Sequence, residues 1–336
     1  MNVNANADVD VLEEIIERIK EHRRFAISTH ISPEGDAVGS ALALRLILRR
    51  LGKEALVVMQ DPVPYNLTFL KGAEGIKPPT DPALEQLAPE LWFIVDCANL
   101  DRVGEGVRRL IEDSGKPIVN IDHHLHNPEF GELNYVRQTA ATAQLIWELA
   151  KRLHVLDPEI TTCLYAGIVA DTSAFRNDNT DAQVLREAAE LLDHGARARE
   201  VAVNLFERRT LGETRLLGYA LLNAKLADGI FWISFPLEIF AELGAAPHET
   251  EPVVNELRKL DGVEVAVLFK ELENNKVKLS LRSKGRLDVS AVARRFGGGG
   301  HEKAAGALIP GELKQVEEVV LAELRRRLDA LHAGVA

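Results

Sequence analysis

The chain has 336 residues, of which 46% are apolar and 27% charged, an ordinary globular balance with material for about two domains. A formal net charge of −11 argues against a broad basic surface for long duplex nucleic acid, although a short nucleotide held by local positive charge remains compatible. Two cysteines are too few for a disulfide framework, and no apolar run reaches the ~20 residues of a membrane span. The N-terminal residues lack the pattern of a signal peptide. We therefore expect a cytoplasmic location without membrane contact.

Short apolar runs alternate with helical periodicity along the first part of the chain. Strands are predicted at 25–29, 54–59, 91–96 and 116–122, and helices at 11–22, 37–51 and near 101–113. This alternation predicts an α/β fold with a mostly parallel sheet flanked by helices. From 139 to about 227 the pattern is largely helical, with a loop at 171–180 and a helix over 181–194 that ends at Gly195.

The last hundred residues carry a second set of elements. Strands are predicted at 229–235, 263–269 and 276–283, and helices near 249–260, near 288–296 and from 311. The pattern predicts three parts: a first domain over 1–195, a helical linker over 196–227, and a smaller α/β C-terminal domain over 228–336, with a cleft between the two domains.

Histidines and carboxylates gather where elements of the first domain end. Four segments have this feature: His30-Ile-Ser-Pro-Glu34-Gly-Asp36, Asp96, Asp122-His123-His124, and Asp171. Ligands bind beyond the carboxyl ends of parallel strands, so these side chains are expected to converge. Taken alone, three of these acids have a structural explanation instead of metal binding: Asp36 as a helix cap, Asp96 as a turn residue and Asp171 as a helix terminus. Together, six oxygen and nitrogen ligands with one shared carboxylate predict two divalent ions about 3.5–4 Å apart.

The adjacent histidines are expected to have different roles. Neighbouring side chains on extended backbone point to opposite sides, so one of His123 and His124 would bind a metal while the other faces substrate or a supporting residue. Asp122 would orient an imidazole and fix its tautomer.

A basic segment in the second domain is a candidate phosphate site. Between Lys276 and Lys303 there are eight basic and two acidic residues, a net charge of +6 (8 − 2) in an acidic protein. The run Gly297–Gly300 followed by His301 lies inside it. Consecutive glycines let backbone N–H groups approach an anion closely, and His301 can donate to a phosphate. The alternative is a flexible turn on a solvated basic face; the position inside the basic segment favours phosphate binding.

These segments resemble the motifs of the DHH phosphoesterase family. HISPEGDAVGS, VDCANLDRVG, NIDHH and ADTSAFRNDNT occur in family order, and RRFGGGGHEKAAGA is similar to the signature of the DHH-associated C-terminal domain. The resemblance covers nearly the whole chain. Length and architecture are most similar to the small bacterial nanoRNases (oligoribonuclease/pAp-phosphatases) and their cyclic-dinucleotide phosphodiesterase relatives.

The resemblance implies a catalytic first domain with two Mn²⁺ ions, Mg²⁺, Co²⁺ or Zn²⁺ being alternatives, and a substrate-binding second domain. Carried over motif by motif, it implies as metal ligands His30, Glu34, Asp36, the bridging Asp96, His123 and Asp171; as catalytic residues His124, facing the scissile phosphate, and Asp122; and as substrate-binding residues Arg102, Arg282, Ser283, Gly298, Gly299, Gly300 and His301. The family usually has Asp where this chain has Glu34, so metal affinity or preference at that ion is expected to differ.

The implied activity is hydrolysis of short single-stranded oligoribonucleotides, such as the linear dinucleotide pApA, and dephosphorylation of 3′-phosphoadenosine 5′-phosphate. Two alternatives remain: a cyclic-dinucleotide (c-di-AMP) phosphodiesterase and, from another class, a non-catalytic nucleotide-binding regulator, which the complete ligand set disfavours. A manganese pyrophosphatase is disfavoured because those enzymes lack the GGGGH signature. The apolar stretch 139–170 would supply either a homodimer face or core.

Overall fold

The computed structural model describes residues 4–334, without the side chains of residues 4–10, 251 and 301. The chain divides into two compact units, one ending at Arg208 and the other beginning at Arg209. This division falls inside the predicted linker. Among the helices of the described residues, none combines the length and the apolar character that crossing a membrane requires.

The first unit is built around five parallel strands in the order β2-β1-β3-β4-β5. Their bounds are β1 (Arg24–Ser28), β2 (Glu54–Val57), β3 (Leu91–Val95), β4 (Ile118–Asp122) and β5 (Leu133–Val136). The middle strand β3 is buried on both faces, as its unbroken apolar sequence LWFIV requires. Phe93 packs into one hydrophobic cluster and Trp92 into another, so successive side chains serve the two faces. Because the strands are parallel, their carboxyl ends share one edge.

Helices cover both faces of this sheet. Their bounds are α1 (Asn4–Glu21), α2 (Gly35–Arg50), α3 (Ala83–Leu87), α4 (Glu105–Ser114), α5 (Thr142–Leu153), α6 (Pro158–Asp171), α7 (Ala182–Asp193) and α8 (Ala198–Ala202). A π-helical turn at Val203–Glu207 follows α8. Helices α1, α2, α5 and α6 contribute to the larger cluster, and α4 contributes to the smaller one on the other face.

The second unit has six strands in the order β10-β11-β9-β8-β7-β6, of which only β7 and β8 pair in parallel among the described residues. The strands are β6 (Lys225–Ala227), β7 (Ile230–Phe235), β8 (Val265–Leu272), β9 (Lys276–Ser283), β10 (Gly299–His301) and β11 (Ala304–Pro310). The helices are α9 (Leu211–Asn223), α10 (Glu238–Leu243), α11 (Glu251–Leu257), α12 (Val289–Arg295) and α13 (Leu313–His332). The predicted fold class is therefore confirmed.

Several short elements were not predicted from the sequence, among them α3, β6 and α10, and two further regions differ from the prediction for a clear physical reason. Strand β5 lies in a segment that carried no strand prediction, because its four residues alternate buried and half-buried side chains and form no apolar run. The glycine-rich segment was predicted as a loop leading towards a helix. Instead, β10 pairs antiparallel with β11, although glycine has low strand propensity. Close backbone approach requires glycine at some of these positions: a Cβ on Gly298 would lie 2.1 Å from the Gly306 carbonyl oxygen, and a Cβ on Gly306 in β11 would lie 2.8 Å from the Leu279 carbonyl oxygen.

Helices α2 and α6 cross with their backbones almost in contact. A Cβ on Gly35 would lie 2.3 Å from Cβ of Ala170, and a Cβ on Gly39 would lie 2.5 Å from the carbonyl oxygen of Cys163. Both distances are shorter than packed atoms allow, so only glycine fits at these positions. The crossing also brings Asp36, in the first turn of α2, against α6.

We expect Gly39→Ala to destabilise the protein by about 1–3 kcal/mol, because the added methyl group forces the two helices apart. Gly218→Ala is the matched control. Gly218 also lies inside a helix, α9, but a Cβ there meets nothing within 4 Å, so alanine should stabilise by about 0.5–1 kcal/mol. Urea unfolding of both variants measures the difference. Equal changes would contradict the close crossing.

Candidate metal centre

Three neighbouring strands bring the predicted ligands to one edge of the first sheet. Strands β1, β3 and β4 are adjacent, and each is followed by a polar residue at its carboxyl end. His30 follows β1, Asp96 comes directly after β3, and His123 comes directly after β4. Asp96 adopts φ 52°, in the left-handed region that Asp and Asn tolerate better than most residues.

Asp96 lies at the centre of the cluster and is only 4% exposed. Its Oδ2 is 3.5 Å from Nε2 of His30, and its Oδ1 is 3.5 Å from Nε2 of His123. The same Nε2 of His123 is 3.3 Å from Oδ2 of Asp171, the last residue of α6. One carboxylate thus lies between two imidazoles, the arrangement that a bridging ligand needs.

Two groups of three side chains have ligand atoms that all lie within 4.8 Å of one another. The first is Asp36, His123 and Asp171, all three of them predicted ligands; the second is Asp96, His123 and His124. Glu34 is the N-cap residue of α2, and its exposed carboxylate is close enough to raise the pKa of Asp171. The structure therefore brings five of the six predicted ligands into one cluster on the first unit, namely His30, Asp36, Asp96, His123 and Asp171. Glu34 lies at the edge of this cluster, on the loop between His30 and Asp36.

The N-terminus of α5 orients two of these carboxylates. Asp36 accepts hydrogen bonds from the backbone N–H of Thr142 at 2.5 Å and of Ala143 at 2.9 Å, and from the Ser40 hydroxyl at 3.0 Å. The Thr142 hydroxyl donates to Oδ1 of Asp96 at 3.1 Å. Helix N-termini favour negative charge, so α5 supports both acids.

Thr139 and Gln144 extend this support to a ligand imidazole. Nδ1 of His123 contacts the Thr139 carbonyl oxygen at 3.1 Å, which leaves Nε2 directed at the cluster. The amide oxygen of Gln144 accepts hydrogen bonds from the backbone N–H of Ala140 and Ala141 and so holds the Thr139 segment in place. Neither Thr139 nor Gln144 was predicted from the sequence to support a ligand. The only local signal was Gln144 in the first turn of a helix, which indicates capping and not chemistry.

Burial and crowding change the ionisation of the acids. Burial and the nearby Asp96 raise the pKa of Asp36 to about 7. Burial, then the charges of Asp36, Asp96 and Glu34, raise the pKa of Asp171 well above its usual value. Burial disfavours the ionised form of Asp96 too, but the hydrogen bond from His30 and the charge of His123 outweigh it and lower its pKa.

The donor set fits divalent metal ions. Several carboxylates lie in a buried volume where they disfavour each other's ionisation, and a cation would remove that repulsion. Carboxylate oxygens with imidazole nitrogens suit Mn²⁺, Zn²⁺ or Mg²⁺. The ring of His123 is already oriented through its distal nitrogen, as metal-binding histidines usually are.

His124, Asp122 and Arg102 lie beside the ligands. Nδ1–H of His124 donates to Oδ1 of the fully buried Asp122 at 2.7 Å. Arg102 is exposed on a 3₁₀ turn, and its carbonyl oxygen accepts a hydrogen bond at 2.7 Å from the N–H of Ile31 in the first ligand loop. Burial and the charge of the Arg102 guanidinium act to lower the pKa of His30 and of His124, but the hydrogen bonds and charges of Asp96 and Asp122 outweigh them and raise both pKa values. A positive charge in this place suits an anionic substrate.

The backbone after Asp171 forms an uncommon left-handed turn. Ser173, Ala174 and Phe175 have φ values of 49°, 59° and 62° in succession. Such conformations cost free energy in residues other than glycine and often occur at functional sites. The side-chain amide of Asn177 donates to the Asp171 carbonyl oxygen at 3.0 Å and ties the turn to its ligand.

The remaining predicted residues lie on the second unit. Nε of Arg282 donates to Oδ1 of Asn255 at 3.1 Å. Ser283 is 1% exposed and its hydroxyl contacts the Gly285 carbonyl oxygen at 3.4 Å, so contact with substrate would require this turn to open. The side chain of His301 lies outside what the structure describes.

The predicted glycines differ in what the fold requires of them. A Cβ on Gly298 would lie 2.1 Å from the Gly306 carbonyl oxygen, and Gly300 has φ +134° with the Ala304 carbonyl oxygen 2.6 Å from its Cβ position. Both are needed for the hairpin. A Cβ on Gly299 would meet nothing within 4 Å, and its backbone is not left-handed. The fold therefore gives no reason for glycine at position 299.

Comparisons with known proteins identify the family and the fold of the chain. Residues 24–168 match the model of the DHH family, N-terminal domain, and residues 235–330 match that of the DHHA1 domain. The bifunctional oligoribonuclease and PAP phosphatase NrnA of Thermus thermophilus is 38% identical over 307 residues, covering 90% of this chain and 89% of the relative. The protein of that name from Bacillus subtilis is 28% identical over 302 residues, covering 88% and 92%. An exopolyphosphatase-related protein from Bacteroides fragilis shares the fold, with TM-score 0.89, 23% identity, and coverage of 95% of this chain and 98% of that one.

Proposed function

Because this chain belongs to the DHH phosphoesterase family, we propose that it is a Mn²⁺-dependent hydrolase of short oligoribonucleotides such as pApA, and that it also dephosphorylates 3′-phosphoadenosine 5′-phosphate. The observation that carries this proposal is the position of the Asp96 carboxylate between the imidazoles of His30 and His123. The carboxylate of Asp171 contacts Nε2 of His123, the same nitrogen that faces Asp96. The names of the relatives from Thermus thermophilus and Bacillus subtilis support the substrate classes.

The proposed roles of the first unit follow from its contacts. Six residues would hold the ions: His30, Glu34, Asp36, Asp96, His123 and Asp171. When bound, a pair of divalent ions supplies an activated water molecule and neutralises charge on the phosphoryl group. Arg102 would bind a phosphate oxygen near His30 and His124. His124 would contact the scissile phosphate through Nε2, since its Nδ1 is directed to Asp122.

The second unit would bind the nucleotide end of the substrate through Arg282, Ser283, Gly298–Gly300 and His301. Gly299 gives the sharpest test, because close backbone approach to a phosphate explains a glycine that the fold does not require. We expect Gly299→Ala to raise KM for pApA about tenfold, by weakening one phosphate contact, with unchanged thermal stability. Gly218→Ala serves as the control. A Gly299→Ala enzyme with the KM of the wild type would contradict the contact.

The activity itself is tested with purified protein, metal-free and supplied with Mn²⁺ or with EDTA. We expect Mn²⁺-dependent release of AMP from 5′-pApA and of phosphate from 3′-phosphoadenosine 5′-phosphate. Cleavage of c-di-AMP with no action on pApA would instead identify a cyclic-dinucleotide phosphodiesterase. Nucleotide binding without any hydrolysis would identify a regulator. Cytoplasmic location and a homodimer stay predictions.

A further inference from the structure

Asn127 lies on the loop that follows the Asp-His-His motif, and none of its side-chain hydrogen bonds in the described structure involves a proposed metal ligand. Its amide Nδ2 donates to Oδ2 of Asp122 at 2.6 Å and to Oδ1 of Asn120 at 2.8 Å. Its amide oxygen accepts a hydrogen bond from the backbone N–H of Glu129 at 2.7 Å, which closes a local turn. One side chain therefore joins the loop to the buried end of β4.

Asn120 connects the same group to the neighbouring strand. It is fully buried, and because it lies two residues before Asp122 on β4, both side chains point to one face of the sheet. Its amide donates to the carbonyl oxygen of Ile94 on β3 at 3.0 Å and lies 3.4 Å from that of Cys97. These carbonyl groups flank Asp96, so the two asparagines fix the Asp122 carboxylate relative to the segment that presents the central ligand.

The Asp122 carboxylate is thereby held at both oxygens. Oδ2 accepts the Asn127 amide, and Oδ1 accepts Nδ1–H of His124 at 2.7 Å. A carboxylate held in this way can rotate little about its terminal torsion, so the direction of Oδ1 is fixed. The His124 ring then carries its proton on Nδ1 when neutral, and its Nε2 is presented in a defined direction.

We propose that Asn127 is a positioning residue for hydrolysis: it fixes Asp122, and through Asp122 it selects the tautomer and orientation of His124 at the scissile phosphate. This inference rests on the proposed function for its effect on rate. The structural part of the inference, the Nδ1–H tautomer of His124, does not depend on the proposed function.

Asn127→Asp is the most informative variant. An aspartate keeps the acceptor for the Glu129 N–H and hence the local turn, but it replaces the amide donor with an oxygen that faces Oδ2 of Asp122 and Oδ1 of Asn120. The control is Asn134→Ala. Asn134 makes two comparable amide hydrogen bonds to Gly131 in the adjoining segment, and none of its hydrogen bonds in the described structure involves Asp122.

We expect Asn127→Asp to lower kcat for pApA by roughly 10–100-fold, the usual cost of losing a supporting residue, with KM changed less than about threefold. Asn134→Ala should retain kcat. A kcat of Asn127→Asp within about twofold of wild type would overturn the proposal, as would equal losses in both variants.

The tautomer provides a second readout that needs no activity. Long-range ¹⁵N–¹H spectra of histidine-labelled, metal-free protein, assigned with His124→Gln, should show the Nδ1–H form of His124 in the wild type and its loss in Asn127→Asp. The same tautomer in both proteins would overturn the proposal. If the wild type hydrolyses no phosphate ester, the proposed function fails, while these spectra still decide whether Asn127 positions His124.

Discussion

Asp96→Asn is expected to lower turnover of pApA by roughly 10³-fold or more. The Asp96 carboxylate faces His30 and His123 and would be shared by both ions. Asparagine supplies one neutral oxygen in place of two anionic ones, so charge stabilisation worth several kcal/mol in the transition state would be lost, and each 1.36 kcal/mol corresponds to a factor of ten.

The same substitution should leave the fold intact. Asparagine has nearly the same shape and tolerates the left-handed φ of 52° at this position. It removes a charge that repels Asp36 and Asp171 but also one that His30 and His123 stabilise, so the metal-free variant should stay folded, with at most a modest loss of stability. Asp113→Asn, at an exposed position of α4, is the control and should keep full activity. Near-normal turnover in Asp96→Asn would show that the site is wrongly assigned.

Adding Mn²⁺ to the metal-free protein is expected to stabilise it against thermal unfolding, by about 2.7–4.1 kcal/mol at 100 to 1,000 times the dissociation constant. The increase should be larger at pH 7.5 than at pH 5. Folding raises the pKa of Asp36 from its usual value near 3.8 to about 7. Between these values the unfolded chain releases this proton more readily, so the metal-free protein loses stability as pH rises through the window.

Metal binding reverses that loss because the ions need ionised carboxylates. Protons therefore compete with Mn²⁺ at low pH, and they compete less above the pKa of Asp36. Melting temperatures with EDTA and with Mn²⁺ at both pH values measure the effect, and Asp96→Asn is the matched control. The assignment would be contradicted by an equal increase at the two pH values, or by an undiminished increase in Asp96→Asn.

The sequence predicted the first sheet and its ligand edge because both depend on local patterns. Apolar runs such as LWFIV mark strands buried on two faces, and parallel strands must present the residues that follow them, such as Asp96, at one edge. The order of the strands and the distances between ligands could not be predicted from these local patterns and were seen only in the structure.

The residues that orient the ligands were not predictable in this way. Thr142 and Asn127 act through partners brought near by the fold, and neither residue type indicates such a role by itself. The hairpin of β10 and β11 was also missed. Glycine and alanine in this segment have no strand signal, and pairing with β9 determines their conformation.

We expect hydrolysis to depend on metal ions that this cluster holds. The decisive experiment is titration of Mn²⁺ into metal-free protein, followed by the electron paramagnetic resonance signal of free Mn²⁺ and by AMP release from pApA in the same samples. We expect two ions to bind per chain, activity to rise as the second site fills, and Asp96→Asn to bind fewer ions. Hydrolysis without bound metal, or unchanged Mn²⁺ binding in Asp96→Asn, would contradict this expectation.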